Sequence, residues 1–367
     1  MRAANRLARL RAFLVENGLD AIVVRNTTDI MWLTGFERVF DSEQAHVAFV
    51  CEDGAIVHTD GRYSTAMRLA SADEGVWGVD DSAQGSMAFV AAALEEYGLG
   101  HGRVAIDTSM TLAEYRALVQ VAPHAQLVER QDDVLELRAV KDAEELERMQ
   151  RAQDVASAAY EATLEELRPG MTEAQVSLAL EIAMRERGAD EVAFANIVAS
   201  GPNSANPHSV PGGRVIQEGD LVVFDFGARV EGYRSDTTRT VSIGAPTEQQ
   251  RRIYAAVREA NEEVEKAIGP GVTGREMHEL ACQVLADNGF AGKMGHSLGH
   301  GVGLDVHEMP HLSPRYDEPL VPGNVVTVEP GAYLAGSDGV RLEDCVAITE
   351  DGFRNFCGLS HELRVVE

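Results

Sequence analysis

Two stretches of this chain, 221–243 and 324–348, constrain its fold most, because each places a pair of carboxylates on otherwise apolar strands. The first, LVVFDFGARVEGYRSDTTRTVSI, reads as two strands joined by a turn near Val230 to Gly232. The second, NVVTVEPGAYLAGSDGVRLEDCVAI, turns at Gly336-Ser337. Folding the first about its turn sets Asp225 nearly opposite Asp236, and folding the second sets Glu329 against Glu343. Directly opposed residues on antiparallel strands hold their Cβ atoms ~5 Å apart. Like charges that close repel, and on buried strands they also lose their hydration, unless a cation joins them. Any single acid here reads equally well as a solvated residue of an acidic protein. Two pairs of the same design point instead to a divalent metal site.

Between the hairpins, the stretch GHSLGHGVGLDVHEMPH carries His296, His300 and His307 among glycines that let the backbone approach closely. A lone histidine on apolar ground is more often a core residue. Three within twelve positions, ahead of a carboxylate pair, indicate function. His208, in NPHSVPGG, has a weaker local context. One histidine and four carboxylates form an oxygen-rich donor set, which suits Mn²⁺, Co²⁺ or Fe²⁺ better than a closed zinc site of sulfur and nitrogen. Two carboxylate pairs can hold two ions ~3.5–4 Å apart that share a water and bring its pKa toward neutrality. That chemistry favours hydrolysis of an unactivated bond such as an amide.

The 367 residues exceed one ordinary domain. Residues 1–138 alternate helix and strand signals: a helix from Asn5 to Asn17, a strand at AIVVR, a second through 45–58, a third at 102–107, and a helix from Leu112 to Val121. This predicts a small α/β domain. Residues 139–367 form the second domain, opened by a long helical pattern that begins near Val140-Lys141 and stops at Pro169-Gly170. Further helices are predicted over 173–187, 247–267 and 274–288. Two of them, 173–187 and 274–288, are entered from Pro-Gly-x-Thr segments, 169–172 and 270–273. This weak repeat suggests two related halves with the site between them.

A net charge of −27 repels phosphate backbones and anionic lipid, so nucleic acid and membranes are not expected partners. Cys51, Cys282, Cys345 and Cys357 are widely spaced, which favours reduced thiols and a cytoplasmic location. The arginine-studded N-terminus reads as an amphipathic helix without a signal-type apolar run, and no stretch approaches the ~18 apolar residues of a membrane span.

Taken together, FDFGARVEGYRSDTTRT, GHGVGLDVHEMP, TVEPGAY and VRLED, with GPNSANPH upstream, resemble the pita-bread metallopeptidases. The closest branch is the Xaa-Pro peptidases, prolidase and aminopeptidase P. The resemblance implies an α+β architecture: a C-terminal pita-bread (creatinase/aminopeptidase-like) domain preceded by a smaller α/β creatinase-type domain that restricts the cleft and supports a homodimer. It implies that Asp225, Asp236, His300, Glu329 and Glu343 bind two divalent ions per subunit, manganese first, with cobalt, zinc or iron(II) as alternatives. Glu329 would also be general base for the metal-bridging hydroxide. His307 would stabilise the oxyanion, His208 would steady the intermediate, and His296 would wall the proline pocket. Arg341 and Tyr233 would support the ligands from behind. The substrates would be short proline-containing peptides. One position departs from the prolidase pattern: after HEMP, His311 stands where many prolidases carry an arginine suited to a dipeptide's carboxylate, with Arg315 a few residues on. That departure leaves Xaa-Pro aminopeptidase and Xaa-Pro dipeptidase both open. A metal-independent creatinase-like amidinohydrolase and a non-catalytic pita-bread binding protein are the other readings, and the intact ligand set counts against both.

Overall fold

The computed structural model describes residues 2–41, 43–131 and 133–367, which form two compact units, Met1–Arg138 and Ala139–Glu367. In the first, a six-stranded mixed sheet runs in the order Gly78–Asp80, Ala55–His58, Val47–Cys51, Ala21–Val24, Arg103–Asp107 and Gln126–Arg130. Its centre is apolar because Ala21–Val24 is buried at every residue. That strand pairs antiparallel with Val47–Cys51 and parallel with Arg103–Asp107. The stretch expected as one strand over 45–58 is instead a hairpin. Glu52, Asp53 and Gly54 interrupt its apolar run, and the Cys51 amide donates to the Gly54 carbonyl to close the turn.

The helical pattern at the unit boundary also resolves differently. A short helix, Asp133–Arg138, belongs to the first unit, and the long helix spans only Ala143–Glu166. Asp142 caps it, with Glu145 reaching back to the Asp142 amide, and this reciprocal pair fixes the start.

The second unit is built from two halves with the same parts. Helices Ala143–Glu166 and Glu173–Glu186 accompany a four-stranded sheet ordered Arg364–Val366, Thr237–Ile243, Leu221–Phe226, Ile197–Ser200. Helices Glu248–Ala267 and Gly274–Asp287 accompany a five-stranded sheet ordered Glu308–Leu312, Gly299–Gly301, Val325–Val328, Asp344–Thr349, Gly352–Asn355. The repeat extends to single hydrogen bonds. Gly170, at a positive φ, donates to the Ile216 carbonyl as Gly271 donates to that of Leu320. Thr172 and Thr273 both cap the following helix, and both form isolated bridges, to Val215 and Pro319. Each half has its own core, one around Tyr160, Phe224 and Phe226, the other around Val264, Leu298 and Val326.

Candidate metal centre

The two carboxylate hairpins meet where the halves join. In the first, Leu221–Phe226 pairs with Thr237–Ile243, and the connection closes at Glu231-Gly232, both at positive φ. This register puts Thr238 opposite Asp225. Asp236 is therefore not the direct partner of Asp225; it lies two residues down the strand, diagonal to Asp225 on the same face. Diagonal neighbours stand ~7–8 Å apart at Cα, so the correction widens the pair and leaves space for an ion. Gly227 allows the close approach at this point, since a Cβ there would collide with the Ser235 carbonyl oxygen.

In the second hairpin, Val328 pairs with Asp344 and Gly331 with Arg341 in one continuous register, which leaves Glu329 facing Glu343 between them. The period of two carries Arg341 and Tyr333 onto the same face. An isolated β-bridge, Thr238 to Glu343, helps join the hairpins: the Glu343 amide donates to the Thr238 carbonyl at 3.0 Å, and Thr238 Oγ1 donates to Glu343 Oε2 at 2.7 Å.

His300 enters from the strand Gly299–Gly301, paired with His311. Its Nδ1 donates to the Gly301 carbonyl at 3.1 Å, so in the neutral ring Nε2 carries the lone pair. That Nε2 lies 3.7 Å from Asp236 Oδ2 and 3.4 Å from Glu329 Oε1. An unprotonated nitrogen facing two carboxylate oxygens has nothing to donate, and a cation resolves the arrangement. Burial lowers the His300 pKa to about 4, which keeps the ring neutral.

The donor set fits divalent ions on the site's own terms. Ligand atoms of Asp236, His300 and Glu343 lie within 4.8 Å of one another. Asp236 is 4% exposed and Glu343 2%. Burial drives both carboxyls well above their ordinary range, and the neighbouring carboxylates add to the shift. Asp225 Oδ1 is buried without a hydrogen-bond partner, while Asp225 Oδ2 is held by Arg341 Nη2 at 2.5 Å. Burial likewise pushes Glu329 up to about 8 against the opposing pull of Arg341. Four carboxylates share one guanidinium here, and divalent cations would supply the missing positive charge.

Around these groups lies a cavity of about 1060 Å³. His208, His296, His307 and His311 line it together with Asp225, Asp236, His300, Glu329, Arg341 and Glu343. The His307 ring packs edge-on against His300 at 4.3 Å between centroids. His296 Nε2 lies 3.0 Å from the Tyr333 hydroxyl, which also accepts from Arg341 Nη1 at 2.9 Å. Tyr233 does not line this cavity. Its hydroxyl donates to Glu145 Oε1 at 2.6 Å, because its strand is at the far end of the first hairpin, under the helix Ala143–Glu166. Tyr333 takes the supporting place expected of Tyr233. Its signal was present in the sequence, four residues beyond Glu329 on the same strand face. Thr238 and Thr327, which hydrogen-bond Glu343 and Glu329, carried no comparable signal.

A second acid–histidine cluster, Glu265, Asp344 and His361, has a built-in cation. Arg239 Nη2 and His361 Nε2 each donate to Asp344 at 2.7 Å, and Arg239 Nη1 also holds the Glu343 carbonyl at 2.7 Å.

Comparison with known proteins agrees with this geometry. The family "Metallopeptidase family M24" matches residues 147–350, and "Creatinase/Prolidase N-terminal domain" matches 6–140. The chain is 36% identical to the uncharacterized peptidase YqhT of Bacillus subtilis, over 98% of this chain and all of that protein. An Xaa-Pro dipeptidase structure from Bacillus anthracis superposes with a TM-score of 0.92 at 35% identity, covering 99% of both chains. An X-Pro aminopeptidase structure from Thermotoga maritima gives 0.88 at 32% identity, covering 98% of this chain and 99% of that one.

Proposed function

This chain belongs to metallopeptidase family M24, a pita-bread enzyme with a creatinase-type N-terminal domain, and on that footing we propose that it hydrolyses the Xaa-Pro bond of short peptides from their amino end. The observation that carries the proposal is the convergence of Asp225, Asp236, His300, Glu329 and Glu343 in the wall of one cavity. These five would hold two divalent ions, manganese first by the oxygen-rich donor set. When bound, the ions supply Lewis acidity that polarises a carbonyl and acidifies water.

The remaining roles fall to the protein's own groups. Glu329, standing in the cavity wall among the ligand carboxylates, takes a proton from the attacking water and returns it to the leaving nitrogen. His307 donates to the carbonyl oxygen as negative charge develops there, and His208 steadies the same intermediate. His296, fixed by Tyr333, walls the pocket for the proline ring. Arg341 restrains Asp225 and Tyr333, so the ligand and the pocket wall share one anchor. Support for Xaa-Pro specificity comes from relatives named for it, one a dipeptidase and one an aminopeptidase. A homodimer and a cytoplasmic location complete the proposal. The unpaired cysteines suit the location, and among the described residues no helix is long and apolar enough to cross a membrane.

A hydrolysis panel of Ala-Pro, Ala-Pro-Ala and Ala-Ala with Mn²⁺ tests it. Cleavage of either proline peptide with Ala-Ala left intact is the expected result, and the proline peptide that is cut faster assigns dipeptidase or aminopeptidase. Equal cleavage of Ala-Ala would remove the proline specificity.

A further inference from the structure

The chain has three lysines, at 141, 266 and 293, and Lys141 is the buried one. Its Nζ lies 3.1 Å from Glu308 Oε2, and each side chain of this pair is 1% exposed. None of the roles given above uses either residue. An ammonium is strongly hydrated, and taking it and a carboxylate out of water costs about as much as their attraction returns. Two apolar side chains of similar volume often serve stability as well. The pair therefore calls for a reason other than stability, and its place in the fold supplies one.

Glu308 directly follows His307 and opens the strand Glu308–Leu312. Its carboxylate folds back over the turn that leads to His307. Oε1 accepts from the Asp305 amide at 2.8 Å, and the Gly303 amide donates to the Asp305 carbonyl at 3.0 Å. The fit is close: a Cβ at Gly303 would stand 2.6 Å from Glu308 Oε2. Arg234 holds the start of the same turn, its amide on the Gly303 carbonyl and its Nε on that of Leu304, both at 2.8 Å. The end nearest His307 is left to Glu308. Lys141 grips that carboxylate and is itself fixed. Its amide donates to the Gly323 carbonyl at 2.9 Å, and Asn324 Nδ2 donates to the Ala139 carbonyl at 2.9 Å. Gly323 and Asn324 lead straight into the strand Val325–Val328, which delivers Glu329. The ion pair thus ties the turn before His307 to the strand before Glu329. His307 has little of its own to fix it. Among the described residues its side chain makes no hydrogen bond, and its ring packs on His300.

We propose that Lys141 and Glu308 are positioning residues for His307, holding its ring at the aim and depth from which it donates to the carbonyl oxygen. The inference rests on the peptidase reading above and on the role given there to His307. A donor to a developing oxyanion acts in the transition state, so its displacement is felt in kcat more than in KM. A misplacement of ~1 Å can cost about a hundredfold in rate.

The test is a cycle of four manganese-loaded proteins: wild type, Lys141→Met/Glu308→Leu, His307→Ala, and all three changes together. The double change removes both buried charges and so leaves neither unpaired. Turnover of whichever of Ala-Pro and Ala-Pro-Ala wild type cuts faster is measured beside metal content and thermal unfolding. The double change should lower kcat by roughly tenfold to a hundredfold, with KM little altered and metal content full. Added to His307→Ala, it should lower kcat by less than about twofold more, because the ring it positions is gone. Glu308→Gln keeps the side chain's shape and the acceptor for Asp305. It should repeat the pattern with a smaller loss, and it decides the matter if the double variant does not fold. Wild-type kcat without the pair, the same fold loss with and without His307, or loss of bound metal would overturn the inference and leave the peptidase reading intact. No cleavage of either peptide by wild type would overturn both.

Discussion

Asp236 and Glu343 are nearly inaccessible to solvent and stand beside further carboxylates, an arrangement that raises both carboxyls and that bound cations would relieve. Replacing Asp236 with Asn keeps the shape and removes one charge. We predict that Asp236→Asn abolishes peptidase activity and lowers bound metal, while its metal-free form unfolds at a temperature no lower than metal-free wild type, because a buried repulsion is gone. Metal analysis and thermal unfolding of both apo proteins check this pair of outcomes. Arg239 behaves in the opposite way. It is the cation that neutralises buried Asp344 and holds the Glu343 carbonyl, so Arg239→Met should destabilise the protein by about 3–5 kcal/mol in chemical denaturation. At this scale the sequence was legible where chemistry repeats at a fixed period. The four carboxylates and His300 stood out because they alternate on apolar strands or sit among glycines, whereas Arg341 came only from the family resemblance. Tyr233 and Tyr333 look alike by that criterion. Only the pairing of each strand and the presence of Glu145 across from Tyr233 separate them, and neither is local information.

At the scale of elements, both hairpins were readable because turn residues interrupt apolar alternation, but register depends on how the turn closes. The closure at Glu231-Gly232 shifted Asp236 from opposite Asp225 to its diagonal. The hairpin within 45–58 was read through because its three-residue break is short beside two strongly apolar arms. The capping pair Asp142 and Glu145 was visible in the sequence, yet the helical pattern continued on both sides of it. The register makes Gly227 a sensitive point, lying between Asp225 and the turn. We predict that Gly227→Ala, by forcing the strands apart at Ser235, costs roughly 1–3 kcal/mol and weakens metal binding as well. Isothermal titration with Mn²⁺ alongside denaturant unfolding would show both losses; unchanged metal affinity would mean the hairpin's closeness does not set the site.

Over the whole molecule, two units with separate cores and one internal repeat account for the architecture, and the repeat was suggested weakly by two helices and the Pro-Gly-x-Thr segments that open them. The first unit carries its own pH dependence. His46 is fully buried, its Nδ1 meets Thr59 Oγ1 at 3.0 Å, and its Nε2 has no partner. Burial lowers its pKa from 6.5 to about 4 despite the nearby Asp41 and Asp60. The neutral ring is therefore favoured in the folded state. Its contribution to stability is whole above pH 6.5, where both states are neutral, and is lost as pH falls toward 4 while only the unfolded chain takes up the proton. The loss is on the order of 3 kcal/mol. Denaturant unfolding between pH 7 and 4.5 should show a steeper decline for wild type than for His46→Gln.

The central claim joins that architecture to one chemistry: buried carboxylates that work only with metal, acting on the bond before proline. Its most direct test is Ala-Pro or Ala-Pro-Ala turnover before and after dialysis against a chelator, with metal content measured on the same samples. We predict that turnover disappears with the metal and returns when Mn²⁺ is restored. Undiminished turnover by protein verified to be metal-free would contradict the claim and assign the carboxylates to a metal-independent hydrolysis.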